Sequence, residues 1–289
     1  MSLKIFAPAK INLGLEIGGK NADGYHEVDM IMQSISLCDE IYIEFSHLQK
    51  IDIEIDKKIN CPREKNIAFR AAEAFFDYTK IKNVGVNIKI IKKIPMCAGL
   101  AGGSADGAGV IVGLNKMFES NLGIPEMCEI GARVGSDVPF CIVGGAAAAK
   151  GIGTDITPIN TVPFCNILVI KPNISVSTAE AYFRFDDMKV TERHNMNLLE
   201  TALKLQDLSG ICANLYNRFE GVINNPKIFE IKDKLKSLGA LGSLMSGSGS
   251  AVYGIFDDVN KAETALQALQ RKYEFAGLFK PLNHGASIC

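Results

Sequence analysis

Apolar residues alternate along the first segment of the chain, KIFAPAKINLGLEI. Ile5, Ala7, Ile11, Leu13, Leu15 and Ile17 share one face, and Lys10, Asn12 and Glu16 share the other. A period of two belongs to a half-buried strand, so Lys10 and Asn12 are expected side by side on its polar face. The alternation returns in IYIEF at 41–45, IDIEI at 51–55 and VGVNIKII at 84–91, while NIAFRAAEAFFDY at 66–78 has the spacing of a helix face. Strands come first and helices follow, the order of an α+β domain.

Beyond the fourth strand lies PMCAGLAGGSADGAG, residues 95–109, and after it a helix is predicted with Ala108, Ile111, Val112 and Phe118 turned to the core. Another helix opens on Pro125 in PEMCEIGARVG, a residue suited to a first helical position because it needs no amide donor. From Gly151 to Pro163 the chain turns to Gly, Thr and Pro, which places a division between domains of residues 1–155 and 156–289. A strand at Ile167–Ile170, several helices, a Gly/Ser loop at 246–250, the strand AVYGIF and a helix near Ala262–Lys272 then make a second α+β unit.

With 289 residues and 47% hydrophobic content the chain can bury a sizeable core. Its 31 Lys and Arg balance 32 Asp and Glu, for a net charge of -1, so no general basic field draws nucleic acid or an anionic membrane. An anionic ligand must be held locally. The eight cysteines are far apart and several sit in apolar runs, which reads as buried free thiols in a reducing cytoplasm. The start, MSLKIFAPAK, has no apolar leader core, and the longest uncharged run, 237–256, is too rich in Gly and Ser to span a membrane, so a soluble cytoplasmic protein is expected. No CxxC or HExxH suggests a zinc site.

The stretch 95–109 holds five glycines, four alanines and one charge. Bare backbone entering a helix is a ready cradle for phosphate, because its amides approach the ligand unobstructed and the helix N-terminus adds partial positive charge. The plainer alternative is a turn of small residues that lets a helix pack closely. Other phosphate motifs are absent. Each Gly-x-Gly (107–109, 151–153, 247–249) is followed three residues on by Val112, Ile156 or Val252 rather than glycine, and Gly103 is followed by Ser104 rather than lysine. The HRD and DFG residues of protein kinases are missing too.

What remains, Pro-x-x-x-Gly-Leu-x-Gly-Gly-Ser, resembles the nucleotide loop of the GHMP kinases, the superfamily of galactokinase, homoserine kinase and mevalonate kinase. Ala101 stands where that loop usually has glycine and Ala105 where it has a second serine. Ala101 is a mild change unless its backbone needs a positive φ. APAKINLGLEI, DGYHEV at 23–28, GSDVPF at 135–140 and LMSGSGSAVYGIF extend the resemblance over the whole chain, in order. Together they are most similar to the branch of the family that phosphorylates a cytidyl diphosphate derivative of methylerythritol, on the route to isoprenoid precursors that bypasses mevalonate.

The resemblance implies a two-domain GHMP kinase fold with the active site in the cleft between the domains. It also implies transfer of the ATP γ-phosphoryl group to an alcohol, with Mg2+ bridging phosphate oxygens. Asp137 is then the candidate base and Lys10 its matching cation, although an isolated Asp in Gly-Ser-Asp is ordinarily turn chemistry and an isolated strand lysine is ordinarily solvated. Pro95, Met96, Cys97, Ala98, Gly99, Leu100, Ala101, Gly102, Gly103, Ser104 and Ala105 would surround ATP. Asn66 would lie near adenine or simply cap its helix. Asp106 is left without a metal role, since an acid in a first helical turn is stabilising by itself. Tyr25 and Tyr182 would sandwich cytosine, with His26 selecting the base. Asn12 and Thr178 complete the substrate set, and Gly247 and Ser248 either close over substrate phosphate or form a turn. The expected partner is a small molecule, bound by a monomer or homodimer. Rival readings are a GHMP kinase for homoserine or mevalonate, and a binding module without turnover.

Overall fold

A computed structural model of the chain describes residues 2–22, 24–57, 61–82, 84–188 and 192–289; Asp23 of the DGYHEV segment lies outside them. The first alternating segment is strand β1 (Ser2–Lys20), antiparallel along most of its length to β2 (His26–Ser46). β3 (Ile51–Ile55) and β4 (Gly85–Ile91) flank helix α1 (Ile67–Thr79) in the chain, and β4 pairs antiparallel with β2 and parallel with β3. Three helices follow, α2 (Gly102–Met117), α3 (Ile124–Ala132) and α4 (Val138–Val143). β5 (Ala146–Lys150) then adds to the near half of β2, and β6 (Asp155–Ile159) adds to β5. The expected division after residue 155 therefore cuts β6, whose backbone ladder with β5 holds it in the first unit.

The second unit begins with β7 (Asn166–Lys171), α5 (Thr178–Asp186), α6 (Asn197–Lys204) and α7 (Leu208–Ala213). The two-residue β8 (Tyr216–Asn217) leads into α8 (Arg218–Ile223) and α9 (Pro226–Ser237). β9 (Gly242–Met245), β10 (Val252–Phe256), α10 (Val259–Leu269) and β11 (Phe275–Phe279) complete a sheet in the order β11-β7-β10-β9. β8 and the last strand, β12 (Ser287–Ile288), return to pair with β1, so the chain end stitches the second unit back to the first sheet.

Three expectations are corrected. The polar face of β1 does not meet solvent: Lys10, Asn12 and Glu16 are all buried, because the second unit covers them. Tyr253 donates its hydroxyl to the Asn12 carbonyl at 2.8 Å, and Arg218 holds Glu16 through two bonds of 2.7 and 2.6 Å. Burial opposes the charge of Glu16, yet Arg218 and the amides of His194 and Ile17 outweigh it and keep the carboxyl below its ordinary pKa. Val112 in α2 and Phe118, which caps its end, are only half-buried, while Val110, Ile111 and Leu114 are fully enclosed. The helix is covered by the sheet on one side and by α1, α3 and α4 on others, so its buried face is wider than one stripe. It lies close on the strands because Gly109 and Gly113 leave room for Ile41, Ile43 and Ile5. The plainer reading of the small residues thus holds for the helix body. Among the cysteines, all free, Cys61, Cys97 and Cys289 are exposed rather than buried, since each lies in a loop or at the chain end. Among the described residues no helix is long and apolar enough to cross a membrane.

Candidate active site

A cavity of about 500 Å³ runs between the two units, with walls from Asn66 and Pro95–Gly103 at one end and from Thr178, Tyr182 and Phe219 at the other. Lys10 and Asp137 also line it. Lys10 reaches the wall from β1, its Nζ donating to Asn12 Oδ1 at 2.6 Å and lying 3.9 Å from Asp137 Oδ2. Asp137 occupies the N-cap position of α4, where an Asp ordinarily accepts from the next turn's amides, but here the side chain makes no capping bond. Lys10 is its one ionic partner among the described residues. A carboxylate spared from capping, 28% exposed and beside a buried ammonium, is free to take a proton from a ligand.

The glycine-rich loop supplies bare amides. Among the described residues, none of the N–H groups from Gly99 to Ser104 finds a hydrogen-bond acceptor. Three of these residues, Gly102 to Ser104, form the first turn of α2, where no intrahelical acceptor exists. The loop holds its shape through left-handed backbone at Cys97 (φ 52), Gly99 (φ 74) and Ala101 (φ 56). Ala101 therefore occupies the conformation that glycine favours, and its methyl carries a strain the usual family glycine would lack. From behind, the second glycine loop supports the first: Ser246 donates to the Gly99 carbonyl at 2.9 Å and the Ala251 amide to the Ala98 carbonyl at 3.0 Å.

Beneath the loop lies a charge cluster that no sequence motif announces. Lys92, just past β4, bonds Asp106 Oδ2 at 2.6 Å, Asp39 Oδ2 at short range and the Gly102 carbonyl at 3.3 Å. Asp39, fully buried on β2, also accepts from the amides of Lys93 and Ile94 at 2.6 and 2.8 Å. Burial works against the Lys92 charge, but Asp106 and Asp39 outweigh it and raise its pKa. Burial pushes Asp106 up to about 8, with Lys92 opposing and Asp39 adding to the rise. Asp106 lies one turn beyond the start of α2 and bonds Lys92, so its role is not that of an acid in the first turn.

At the far end Tyr182 stacks on His26, with centroids 5.2 Å apart and planes at 12°, and meets Phe219 edge-on. Burial pushes the Tyr182 phenol up to about 12, so it stays neutral. His26 Nδ1 is 3.1 Å from the Gly18 carbonyl, and Nε2 lies 2.9 Å from Asp186, close enough for attraction but off the line of a hydrogen bond. Tyr25, expected opposite Tyr182, is 63% exposed and makes no ring contact among the described residues; its backbone closes a surface turn with Asn21.

The structure thus brings Lys10, Asp137, Asn66, residues 95–103, Thr178, Tyr182, Gly247 and Ser248 to one cavity. Asn66 also caps α1, accepting from the amides of Ala68 and Phe69. Thr178 and Ser248 hydroxyls meet at 2.9 Å. Asn12 lies behind the wall, bridging Lys10 to the Gly247 amide, which donates to its Oδ1 at 3.0 Å. Ala105 is enclosed in α2, while the Ser104 hydroxyl faces Gly135.

Comparison with known proteins gives the chain a family. The family model described as the N-terminal domain of GHMP kinases matches residues 66–145, and that of the GHMP kinase C-terminal domain matches residues 191–274. The chain belongs to the GHMP kinase family. This GHMP kinase is 44% identical over 276 residues to the 4-diphosphocytidyl-2-C-methyl-D-erythritol kinase of Acetivibrio thermocellus, covering 93% of this chain and 95% of that one. It is 41% identical over 290 residues to the enzyme of the same name from Caldanaerobacter subterraneus, covering all of both. A crystal structure of 4-(cytidine 5'-diphospho)-2C-methyl-D-erythritol kinase superposes with a TM-score of 0.79 at 29% identity, over 96% of this chain and 99% of that one. The homoserine kinase of Cytophaga hutchinsonii, at TM-score 0.80 but 18% identity over 100% of this chain and 97% of its own, shares the fold.

Proposed function

We propose that this kinase transfers the γ-phosphoryl group of ATP to a hydroxyl of 4-diphosphocytidyl-2-C-methyl-D-erythritol, the alcohol in its relatives' names. The observation that carries the reading is the Lys10–Asp137 pair in one cavity, with unbonded loop amides at one end and the Tyr182 ring at the other. The amides of Gly99–Ser104 and the N-terminus of α2 bind the phosphates. The acceptor oxygen attacks the γ-phosphorus, the bond from that phosphorus to the bridging oxygen of ADP breaks, and Asp137 takes the hydroxyl proton. Lys10 offsets negative charge on the transferring group and on Asp137. Asn66 contacts the adenine end. Tyr182, with His26 against its face and Phe219 at its edge, supplies the aromatic wall for cytosine, and Thr178 and Ser248 offer hydroxyls to the diphosphate. Tyr25 reaches this base only if its turn folds inward.

Mg2+ is the family's usual companion of ATP. Among the described residues no group of three His, Cys, Asp or Glu side chains could hold a metal ion, so a protein cage does not fit. A cation carried on triphosphate oxygens and water does not require one. The setting is the cytoplasm, with the protein acting as a monomer or homodimer.

A coupled ADP-release assay across alcohols tests the reading. Turnover is expected with the cytidyl diphosphate alcohol and not with homoserine or mevalonate; the reverse preference would reassign the substrate within the family. Asp137→Asn is expected to lower kcat by roughly a hundredfold to ten-thousandfold while ATP still binds, as for loss of a positioned base. Near-normal kcat in that variant would remove Asp137 from the chemistry, and ATP binding without turnover of any alcohol would favour a binding module.

A further inference from the structure

We propose that Lys92 is a positioning residue for the nucleotide, fixing the phosphate loop to the first sheet through Asp106 and Asp39. One buried ammonium meets three separate pieces of chain: Asp39 on β2, Asp106 one turn into α2, and the carbonyl of Gly102 where the loop becomes the helix. Asp39 extends the tie by accepting from the amides of Lys93 and Ile94, the residues that lead into the loop. Both ends of the loop are therefore referred to the same two charged groups, Lys92 Nζ entering from the helix side and Asp39 from the linker side.

Such a tie matters because the loop binds through backbone amides. Their directions are set by the backbone alone, and an error of about 1 Å in groups that must converge on one phosphate forfeits much of their joint effect. The loop also carries left-handed Cys97, Gly99 and Ala101, a shape it keeps only if its ends are held. The cluster is costly to keep for stability alone: two acidic side chains share one ammonium out of water, and buried charged clusters of this kind are weak evidence for stability. Asp106 Oδ1 has no hydrogen-bond partner, although the residue lies in the cavity wall. An arrangement this close to the ligand and this poorly optimised for folding fits a role in geometry.

The inference rests on reading the loop end of the cavity as the ATP site, and the two fail separately. A wild-type chain that binds no ATP analogue defeats that reading, whereas variants that bind it as tightly as wild type defeat this one. The experiment is a double-mutant cycle on the full chain: Lys92→Met, Asp106→Ala and both together, with the Kd of a non-hydrolysable ATP analogue measured by calorimetry beside thermal unfolding. Because calorimetric stoichiometry counts the folded fraction, a purely structural role would lower stoichiometry and Tm and leave Kd in place. The expected result is a Kd about tenfold weaker for each single variant, no further loss in the double variant, and an acceptor KM within about twofold of wild type. Non-additivity of this kind is the signature of two groups acting as one. Should Lys92→Met not fold, Asp106→Ala carries the test alone, since it leaves one ammonium facing one carboxylate. An unchanged Kd in the folded variants, additive losses, or an equal rise in acceptor KM would each overturn the proposal.

Discussion

The loop at 95–104 opens into α2, sixteen residues long, whereas the loop at 246–250 joins two strands, β9 and β10. Both are rich in glycine: the second is Ser-Gly-Ser-Gly-Ser, and the first ends in Gly-Leu-Ala-Gly-Gly-Ser. In the first, the amides from Gly99 to Ser104 have no acceptor among the described residues, and the last three belong to the first turn of a helix that offers them none. In the second, three amides are spent: Ser246 donates to the Ala251 carbonyl, Gly247 to Asn12 Oδ1, and Gly249 back to the Ser246 carbonyl. The first loop therefore offers free amides to the cavity, as the proposed phosphate site requires, and the second braces it. Whether the chain continues as a helix or as a strand decides which of the two a glycine run becomes.

The largest effect is expected where the loops touch. A Cβ at Gly99 would collide with the Ser246 carbonyl, and Gly99 is also left-handed, with φ 74. Gly99→Ala adds a left-handed penalty of about 1–2 kcal/mol to an overpacking cost of about 1–3 kcal/mol. The expected loss is about 2–5 kcal/mol by chemical denaturation, together with weaker ATP binding. Gly247 is left-handed as well, but a Cβ there meets the Gly99 carbonyl oxygen at 3.0 Å, a tight contact rather than a collision. Gly247→Ala should cost less, and a larger loss there than at Gly99 would reverse the assignment of which loop leans on which.

This division of labour is only partly legible in the sequence. The strands and helices are readable because their periods are local: 51–55 and 84–91 alternate cleanly, and Pro125 marks a helix start. The Asp137 and Lys10 pair is legible through its two motifs, since neither residue advertises itself alone. The burial of Lys10, Asn12 and Glu16 is not, because a polar strand face looks the same whether water or a second domain covers it. Nor is the Lys92 cluster, whose partners Asp39 and Asp106 lie 53 and 14 residues away in the chain with no pattern joining them. The expected sandwich of cytosine between Tyr25 and Tyr182 has His26, not Tyr25, against the Tyr182 ring, since sequence order does not reveal that Tyr25 closes an exposed turn while His26 reaches that ring.

The two loops also differ in the charge behind them, and pH separates them. Asp106, behind the first loop, is pushed up to about 8 from an ordinary value of 3.8 by burial and by Asp39. The folded chain therefore binds more protons at this site than the unfolded chain between those values, so stability falls as pH rises through that window. One such group contributes at most about 1.4 kcal/mol per pH unit. In Asp106→Asn this contribution should vanish, so that Tm between about pH 6 and about pH 8.5 falls less in the variant than in wild type. Parallel curves would mean that Asp106 is already ionised beside Lys92 across the range.

The smallest expected effect concerns Ala101, the one place where the binding loop departs from its family in a way the backbone feels. Its φ of 56 places an alanine where glycine is at ease, and the methyl costs about 1–2 kcal/mol in that conformation. Glycine would remove the penalty but would add about 0.4–1 kcal/mol of flexibility to the unfolded chain. Ala101 also packs against the core, so part of the relief is returned as lost contact. The net expectation for Ala101→Gly is a gain of about 0.5 kcal/mol, seen as a rise of about one or two degrees in Tm for a chain of this size. The corresponding change behind it, Ser250→Gly, relieves nothing, because Ser250 has no positive φ, and it deletes the 2.6 Å bond from its hydroxyl to the Ile174 carbonyl, so that variant should lose stability. Opposite signs at the two positions would show that the binding loop holds strain and the bracing loop does not; a fall in Tm for Ala101→Gly would mean that the methyl's packing outweighs its backbone cost and that the loop is not strained at this residue.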